Sequence, residues 1–334
     1  MITPANLEYQ NGPQDPNHWT DTYFFPISIP EAHLLVTFYV VVRANLGVMS
    51  NEVVAYGSLT DTRAEVLYVD GQMHLPAPEK FSQMESSNGL SIVAINPPRD
   101  YRIDYVGYDD TEVHVDWRGI MDPWDIHDPD HNSLLPETES ERMAATSMGE
   151  GYKGHFDMTG RVTGTVKVRG REFAVDVIDR MDHSWGPRHE LEMHPMNSIS
   201  VHFGEDLAFR ILVKLDLDAP AGQDQELAAG YVLDNGILHS IVKADIDTVR
   251  LGLAVVAMNV LVSDDRGIAY MLRAQADVGG PWNAYPSNVT WQSMMRWSLN
   301  DRYGYGVVQE HHPLPLETKR RGRWWSDPQP SISS

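Results

Sequence analysis

The chain has no cysteine in its 334 residues. This excludes a disulfide framework, a thiolate metal centre and a cysteine nucleophile, and it fits a reducing compartment. Positive charge is scarce. The 26 Lys and Arg stand against 47 Asp and Glu, for a formal net charge of −21, which would repel nucleic acid and anionic lipid. The one basic run, KRRGRWW at 319–325, reads as a solvated tail. Long apolar runs are also missing: LLVTFYVVV (34–42) and LGLAVVAMNVLV (251–262) are too short to cross a bilayer as helices and suit buried strands. The opening MITPANLEYQNGPQDPNHW lacks the basic and apolar regions of a secretory signal. A cytoplasmic protein with no membrane span and no nucleic-acid partner is therefore expected. No Walker loop occurs and no G-x-S-x-G surrounds Ser184, which disfavours nucleotide-dependent chemistry and a serine hydrolase.

What the chain has in quantity is period-two alternation broken by turn residues. YRIDYVGYDDTEVHVDW (101–117) reads as strand, Asp-Asp turn, strand. GTVKVRGREFAVDVIDRM (164–181) turns at Arg169-Gly170, GYVLDNGILHSIV (230–242) at Asp-Asn-Gly, and TWQSMMRWSLNDRYGYGVVQEHH (290–312) at Asn300-Asp301. Helical signals are few, the best being a short connection within TESERMAATSMGEG (138–151). Many short, evenly spaced strands predict an all-β chain of sandwich or barrel architecture. MDPWDIHDPDHNSLLPETES (121–140) is expected to be a long loop at a chamber mouth, and EHH (310–312) an exposed tail before Pro313 and Pro315. The main break follows Gly186-Pro187, dividing the chain into modules 1–187 and 188–334.

DRMDHSWGPR (179–188) packs acids, a histidine and a tryptophan against that break. Side chains alternate along a strand, so Phe173, Val175, Val177, Asp179, Met181, His183 and Trp185 share the more apolar, inward face. Polar groups pushed among apolar ones have shifted pKa values and can build acid–base sites. Asp179 and His183 are roughly 13 Å apart on a regular strand, so His183 needs a partner on a neighbouring strand, or else the strand bends. A buried Asp and His satisfying backbone groups at a strand end, with Trp185 as a plug, is the plainer reading of the same spacing.

HFDMTGRVTGTVKVRGREFAVDVIDRMDHSWGPR (155–188) resembles the end of the N-terminal half of the carotenoid 1,2-hydratase (hydroxyneurosporene synthase) and AttH-like superfamily. Asp182, His183, Trp185 and Gly186 match its Asp-His-x-Trp-Gly signature, and HWTDTYFF (18–25) and VVVRAN (40–45) resemble its uncharacterised, hydratase-like branch. The resemblance implies two lipocalin-like (calycin) β-barrel modules packed together, with a hydrophobic cavity. It also implies a part for His183 and Trp185 in cofactor-free addition of water to a carbon–carbon double bond. The superfamily's later Tyr and Asp have no clear counterpart in SISVHFGEDLAFRILV (198–213), which offers His202, Glu205 and Asp206. Cyclases and other hydratases share the architecture, and fold alone does not choose among them.

The chemistry expected on this basis is hydration, isomerisation or cyclisation of a hydrophobic, isoprenoid- or steroid-like small molecule in the barrel cavity, without a cofactor or metal. Asp179 is the candidate proton donor, with Asp182 the alternative if the strand kinks. His183 positions the acid or activates water, and the Trp185 ring faces developing positive charge. Met181, Trp117 and His202 complete the candidate substrate wall. Two histidine runs read as loop and linker rather than as metal sites, and whether the 121–140 loop binds a metal stays open. In WDIHDPDHN, Pro129 separates His127 and Asp128 from Asp130 and His131. RHELEMH, with His189, Glu190, Glu192 and His194, is not H-E-x-x-H and reads as a linker. A lipocalin-like carrier of the same ligand, and an acidic scaffold for a protein partner, are the competing readings; a homodimer stays open.

Overall fold

The computed structural model describes residues 1–10, 15–146, 148–220, 222–283 and 285–323. Eleven strands form the first sheet: β1 (Trp19–Ile29), β2 (Leu34–Arg43), β3 (Val48–Tyr56), β4 (Tyr68–Pro76), β5 (Gln83–Glu85), β6 (Leu90–Asn96), β7 (Asp100–Val106), β8 (Glu112–Gly119), β9 (Trp124–Asp125), β10 (Gly154–Val168) and β11 (Arg171–Pro187). Their order is β4-β3-β2-β1-β11-β10-β8-β7-β6-β5, with β9 on β10. The second module is a closed antiparallel barrel of β12 (Met196–His202), β13 (Leu207–Leu215), β14 (Gln225–Asp234), β15 (Ile237–Leu251), β16 (Ala254–Asp264), β17 (Ala269–Trp282), β18 (Asn288–Leu299) and β19 (Arg302–Pro313). The chain is thus all-β, a curled half-barrel sheet beside a closed barrel. Two short helices, α1 (Glu139–Ala145) and α2 (Leu314–Arg321), sit outside the sheets. No described helix is long and apolar enough to cross a membrane.

The hairpins turn where the turn residues stand. Asp109, Asp110, Arg169, Asn235 and Asn300 all take left-handed φ values between 49° and 54°, a region that Asn, Asp and Gly enter at least cost. The run GEGYKG (149–154) has dinucleotide-loop spacing, but it leads from a helix into β10. It does not open a helix after a strand, so it offers no phosphate-binding N-terminus.

Alternation sets the two faces of β11. Val175, Val177, Met181, His183 and Trp185 enter the first module's core with Tyr23, Phe25, Tyr101 and Trp117. From Val177 almost every residue is buried, on both faces, because the barrel covers the other side. Two bulky rings come close to glycines of β10. A Cβ at Gly160 would sit 2.4 Å from the Trp117 ring, and one at Gly154 2.0 Å from the Trp185 indole.

Three expectations change. The 121–140 loop does not line a chamber mouth. Its Met121, Trp124 and Ile126 pack with Ala208, Leu212, Tyr231 and Leu233 of the barrel, and the Trp124 Nε1–H donates to His131 O at 2.9 Å. Apolar side chains spaced along a polar loop make it a wedge between modules. EHH is no tail: Glu310 lies buried on β19, where Arg250 Nη2 donates to it at 2.7 Å. Among the described residues, Ile199, Phe209, Val260, Met295 and Trp297 pack together as an apolar core in the barrel, where a chamber was expected. Of the basic run KRRGRWW, Lys319, Arg320 and Arg321 end α2, and Trp324 and Trp325 lie outside the described residues.

The modules are joined by a second apolar cluster, with Phe24, Leu35, Val54 and Tyr56 against Val278, Trp282, Met294 and Val307. A short backbone bridge adds to it, Thr60 N–H donating to Gly279 O at 2.9 Å and Gly279 N–H to Ser58 O at 3.0 Å. Gly160→Val should lower stability by about 1–3 kcal/mol or more, because Trp117 must leave its rotamer. Urea unfolding followed by tryptophan fluorescence checks this, and an unchanged midpoint would contradict the close approach.

Candidate active site between the modules

The barrel-facing side of β11 carries Arg180, whose side chain is 1 % exposed. A guanidinium buried this deeply persists only among acceptors and counter-charges. Its Nη1 donates to Asp182 Oδ2, and its Nη2 to Gln309 Oε1 on β19 and, at 3.4 Å, to Ser198 Oγ on β12. The guanidinium carbon also lies 4.6 Å from the centre of the Phe24 ring, a cation–π distance. A second buried arginine, Arg210 on β13, donates from Nε to Asp157 Oδ1 at 2.6 Å and from Nη1 to Ser198 Oγ at 2.7 Å. His155 Nε2 lies 2.7 Å from the other Asp157 oxygen. Burial alone would raise the Asp157 carboxyl, but Arg210, His155 and Arg180 outweigh it and hold the group well below the usual carboxylate range. The network returns to the first module through Gln309, which donates to Gln292 Oε1 at 3.1 Å. Gln292 in turn donates to the Tyr56 hydroxyl at 2.9 Å.

At one edge of this network the modules part to leave a cleft of about 40 Å³, lined by Asp182, Ser184 and Arg188 and by Phe24, Tyr39, Tyr152, Trp282, Tyr285 and His311 among others. That is room for water, not for an organic molecule. Two wider hollows of about 310 Å³ adjoin it at Tyr39 and Tyr285, one over Val41, Val48 and Met49, the other over Ser50 and Met73.

Arg188 is the chemically distinctive group. It is 2 % exposed, its Nη2 donates to Ser184 Oγ at 2.8 Å, and Ser184 Oγ lies 2.7 Å from Thr22 Oγ1. Its Nε and Nη1 have no hydrogen-bond partner. Gly151 makes space for it, since a Cβ there would come within 2.5 Å of Nη1. Unpaired buried N–H groups are costly in a native structure. The Tyr39 and Tyr285 hydroxyls are 3.1 Å apart, and burial, with Tyr285 beside it, raises the Tyr39 phenol well above its ordinary range. His311 is pushed down to about 3 by burial and the nearby cationic groups, which leaves a neutral ring.

Of the residues singled out in the sequence, Asp182 reaches this cleft. His183, Trp185, Met181 and Trp117 lie in the first module's core. His183 Nδ1 is 2.8 Å from Thr22 O and Nε2 2.9 Å from Asn6 O, so the ring lies between β1 and the N-terminal segment and, when neutral, donates its one N–H to one of the two carbonyls. Tyr23, Phe81, Phe156 and Trp185 surround it at 4.9–5.4 Å. Burial pushes the imidazole down to about 4, against the pull of the two carbonyls. Asp179 sits where β1 and β11 separate beyond the Phe24–Asp182 pair. Its oxygens accept Ser28 N–H at 2.8 Å and Arg180 N–H at 2.9 Å. Burial raises its carboxyl to about 6 in spite of these donors. His202 Nε2 is 3.7 Å from Asp179 Oδ1, and its ring nitrogens have no hydrogen-bond partner. Gly186, at φ 150°, lets Glu150 O approach to where a Cβ would meet it at 2.5 Å.

Sequence reasoning missed Arg180, Arg188, Arg210, Asp157, Tyr39, Trp282 and His311. One signal was available: single arginines inside apolar strand runs, as in FRILV (209–213), have no solvent to face and imply buried counter-charges.

A family model described as a domain of unknown function, DUF7064, matches residues 4–314. The chain belongs to the DUF7064 family. Comparison with curated proteins gives no match. Among solved structures, this DUF7064 chain is similar to an AttH-type protein from Nitrosomonas europaea, with TM-score 0.55 and 12 % identity over 93 % of this chain and 96 % of that one. It is also similar to kievitone hydratase from Nectria haematococca, with TM-score 0.51 and 9 % identity over 93 % and 92 % of the chains. The protein CghA, solved with Sch210972, gives TM-score 0.51 and 8 % identity over 90 % and 89 %. At these identities the likeness is one of fold, and at that level the AttH-like resemblance read from the signature holds.

Two outcomes test the buried charges. Arg180→Met strands Asp182 and should cost about 3–5 kcal/mol in urea unfolding. His202, neutral when folded, has an ordinary pKa of 6.5 and a folded value of about 3. As pH falls below 6.5 the unfolded chain binds a proton that the folded chain does not, so stability is lost. His202→Leu should therefore lose less stability than the parent between pH 7.5 and 5, by about 2 kcal/mol.

Proposed function

We propose that this protein is a cofactor-independent hydratase, isomerase or cyclase acting on a polarised carbon–carbon double bond of a hydrophobic small molecule, with the inter-module cleft as its reaction site. The observation that carries this is Arg188, a buried guanidinium with two unpartnered N–H groups, set in an aromatic-walled cleft beside the Asp182 carboxylate. Such donors suit a carbonyl oxygen that gains negative charge as the conjugated bond reacts. Asp182 is ion-paired with Arg180 and acts as a base. In hydration it takes a proton from water as the oxygen attacks the β carbon. Arg188 holds the enolate oxygen, and Asp182 returns the proton to the α carbon. In cyclisation or isomerisation a substrate C–H replaces the water as proton source.

His183 and Asp179 are positioning residues in this reading. His183 holds Thr22, Thr22 holds Ser184, and Ser184 orients Arg188. Asp179 fixes the separation of β1 from β11 and, with His202, backs the strand that carries Arg180. Trp185, Met181 and Trp117 set the packing behind β11. The hollows beside Tyr39 and Tyr285 supply room for the apolar body of the substrate. A neighbour of the same fold is itself named a hydratase, which supports the reaction class.

The test is mass spectrometry in heavy-oxygen water, with a panel of apolar enones and alkenes. The parent protein should add heavy oxygen, or give an isomer of unchanged mass and new retention time. Arg188→Met and Asp182→Asn should each lower turnover about 100-fold or more. Ligands that co-purify unaltered with the parent and both variants would make the protein a carrier.

A further inference from the structure

The linker run RHELEMH and the segment before β1 are some 170 residues apart in sequence, by their positions, yet the sheet places them side by side. Trp19 opens β1 opposite Pro187, which closes β11. The ladder continues one step further, Arg188 N–H donating to His18 O at 2.8 Å. A turn closed by Trp19 N–H on Asp15 O, at 3.1 Å, folds Asp15 back over His18. The result is a cluster fixed by backbone register. Asp15 Oδ1 lies 2.8 Å from His18 Nδ1, and Asp15 Oδ2 lies 2.7 Å from His189 Nε2. The two imidazole rings are 4.4 Å apart, and one donor atom from each of the three residues falls within 4.8 Å of the others.

We propose that Asp15, His18 and His189 bind a single Zn²⁺ ion that clasps the segment before β1 to the inter-module linker. Two imidazoles and a carboxylate are a zinc donor set, with water in the fourth position. Tetrahedral zinc with bonds of about 2.0–2.2 Å needs donor atoms roughly 3.3 Å apart, a spacing that small side-chain rotations reach from here. The three side chains are partly exposed, at 46 %, 42 % and 31 % for His18, His189 and Asp15, so the ion has a way in. Arg43 and Arg188 line the same hollow; Arg43 pairs with Glu190 at 2.5 Å, and the Nη2 of Arg188 donates inward to Ser184. His189 follows Arg188 directly, so the ion would fix the backbone that carries the cleft's guanidinium. The geometry of the cluster does not rest on the proposed reaction.

The test is calorimetric titration of the metal-stripped full chain with zinc chloride at pH 7.5. One Zn²⁺ per chain is expected. His18→Ala and His189→Ala should each weaken binding at least about tenfold, while His33→Ala, at a distant exposed His–Asp pair, leaves it unchanged. Co²⁺ in place of Zn²⁺ should give the intense visible absorption of a four-coordinate site in the parent and lose it in both variants. Zinc that does not bind at a ratio of one, or that still binds a folded His18→Ala/His189→Ala double variant, overturns the proposal. All these residues are near the surface, so circular dichroism of the variants separates loss of binding from loss of fold.

Discussion

Burying Arg180 and Arg210 between two sheets requires acceptors to arrive from both modules at once. Asp157 and Asp182 come from β10 and β11, and Ser198 and Gln309 from the barrel. Neither module alone could bury these guanidinium groups, because each would leave part of the other's charge without a partner. The polar network therefore fixes how the modules sit, and the apolar clusters around Phe24 and Trp124 fill the remaining space. The cleft exists because this network ends at Asp182 while the walls continue.

The Asp-His-Ser-Trp-Gly run joins scaffold and site through strand alternation. His183 and Trp185 point into the first module, where one lies between β1 and the N-terminal segment and the other against Gly154. Asp182 and Ser184 point the other way, onto the cleft and its arginines. Gly186 lets the chain pass Glu150 without a clash. A change on the core face would be felt at the cleft through the Thr22–Ser184–Arg188 relay, whose links are single hydrogen bonds.

The cleft combines an ionised pair, unpaired guanidinium donors, a neutral imidazole and protonated phenols within aromatic walls. Low polarisability around these groups strengthens each interaction with a polar ligand. It also explains the mixed lining, since a wholly apolar pocket could hold a hydrophobic molecule but not polarise it.

The all-β class, the hairpin turns at Asp109-Asp110, Arg169-Gly170, Asn235-Gly236 and Asn300-Asp301, and the inward face of β11 could all be read from the sequence. Each rests on local chemistry: backbone preference at the turns, period two along the strands. Of the residues named from the sequence on that strand, Asp182 lines the cleft proposed as the site. The sequence could not show that the outward face of β11 would be covered, because nothing local distinguishes a face meeting water from one meeting another module. For that reason Arg180 and Arg210 went unremarked, Arg188 was read into a linker and His311 into a tail, and the 121–140 loop was placed at a chamber mouth. Which strands close into a barrel, which faces meet, and which side chains from opposite ends of the chain share a carboxylate are long-range matters. They follow from pairing register and burial across the whole molecule, so only the tertiary structure decided them.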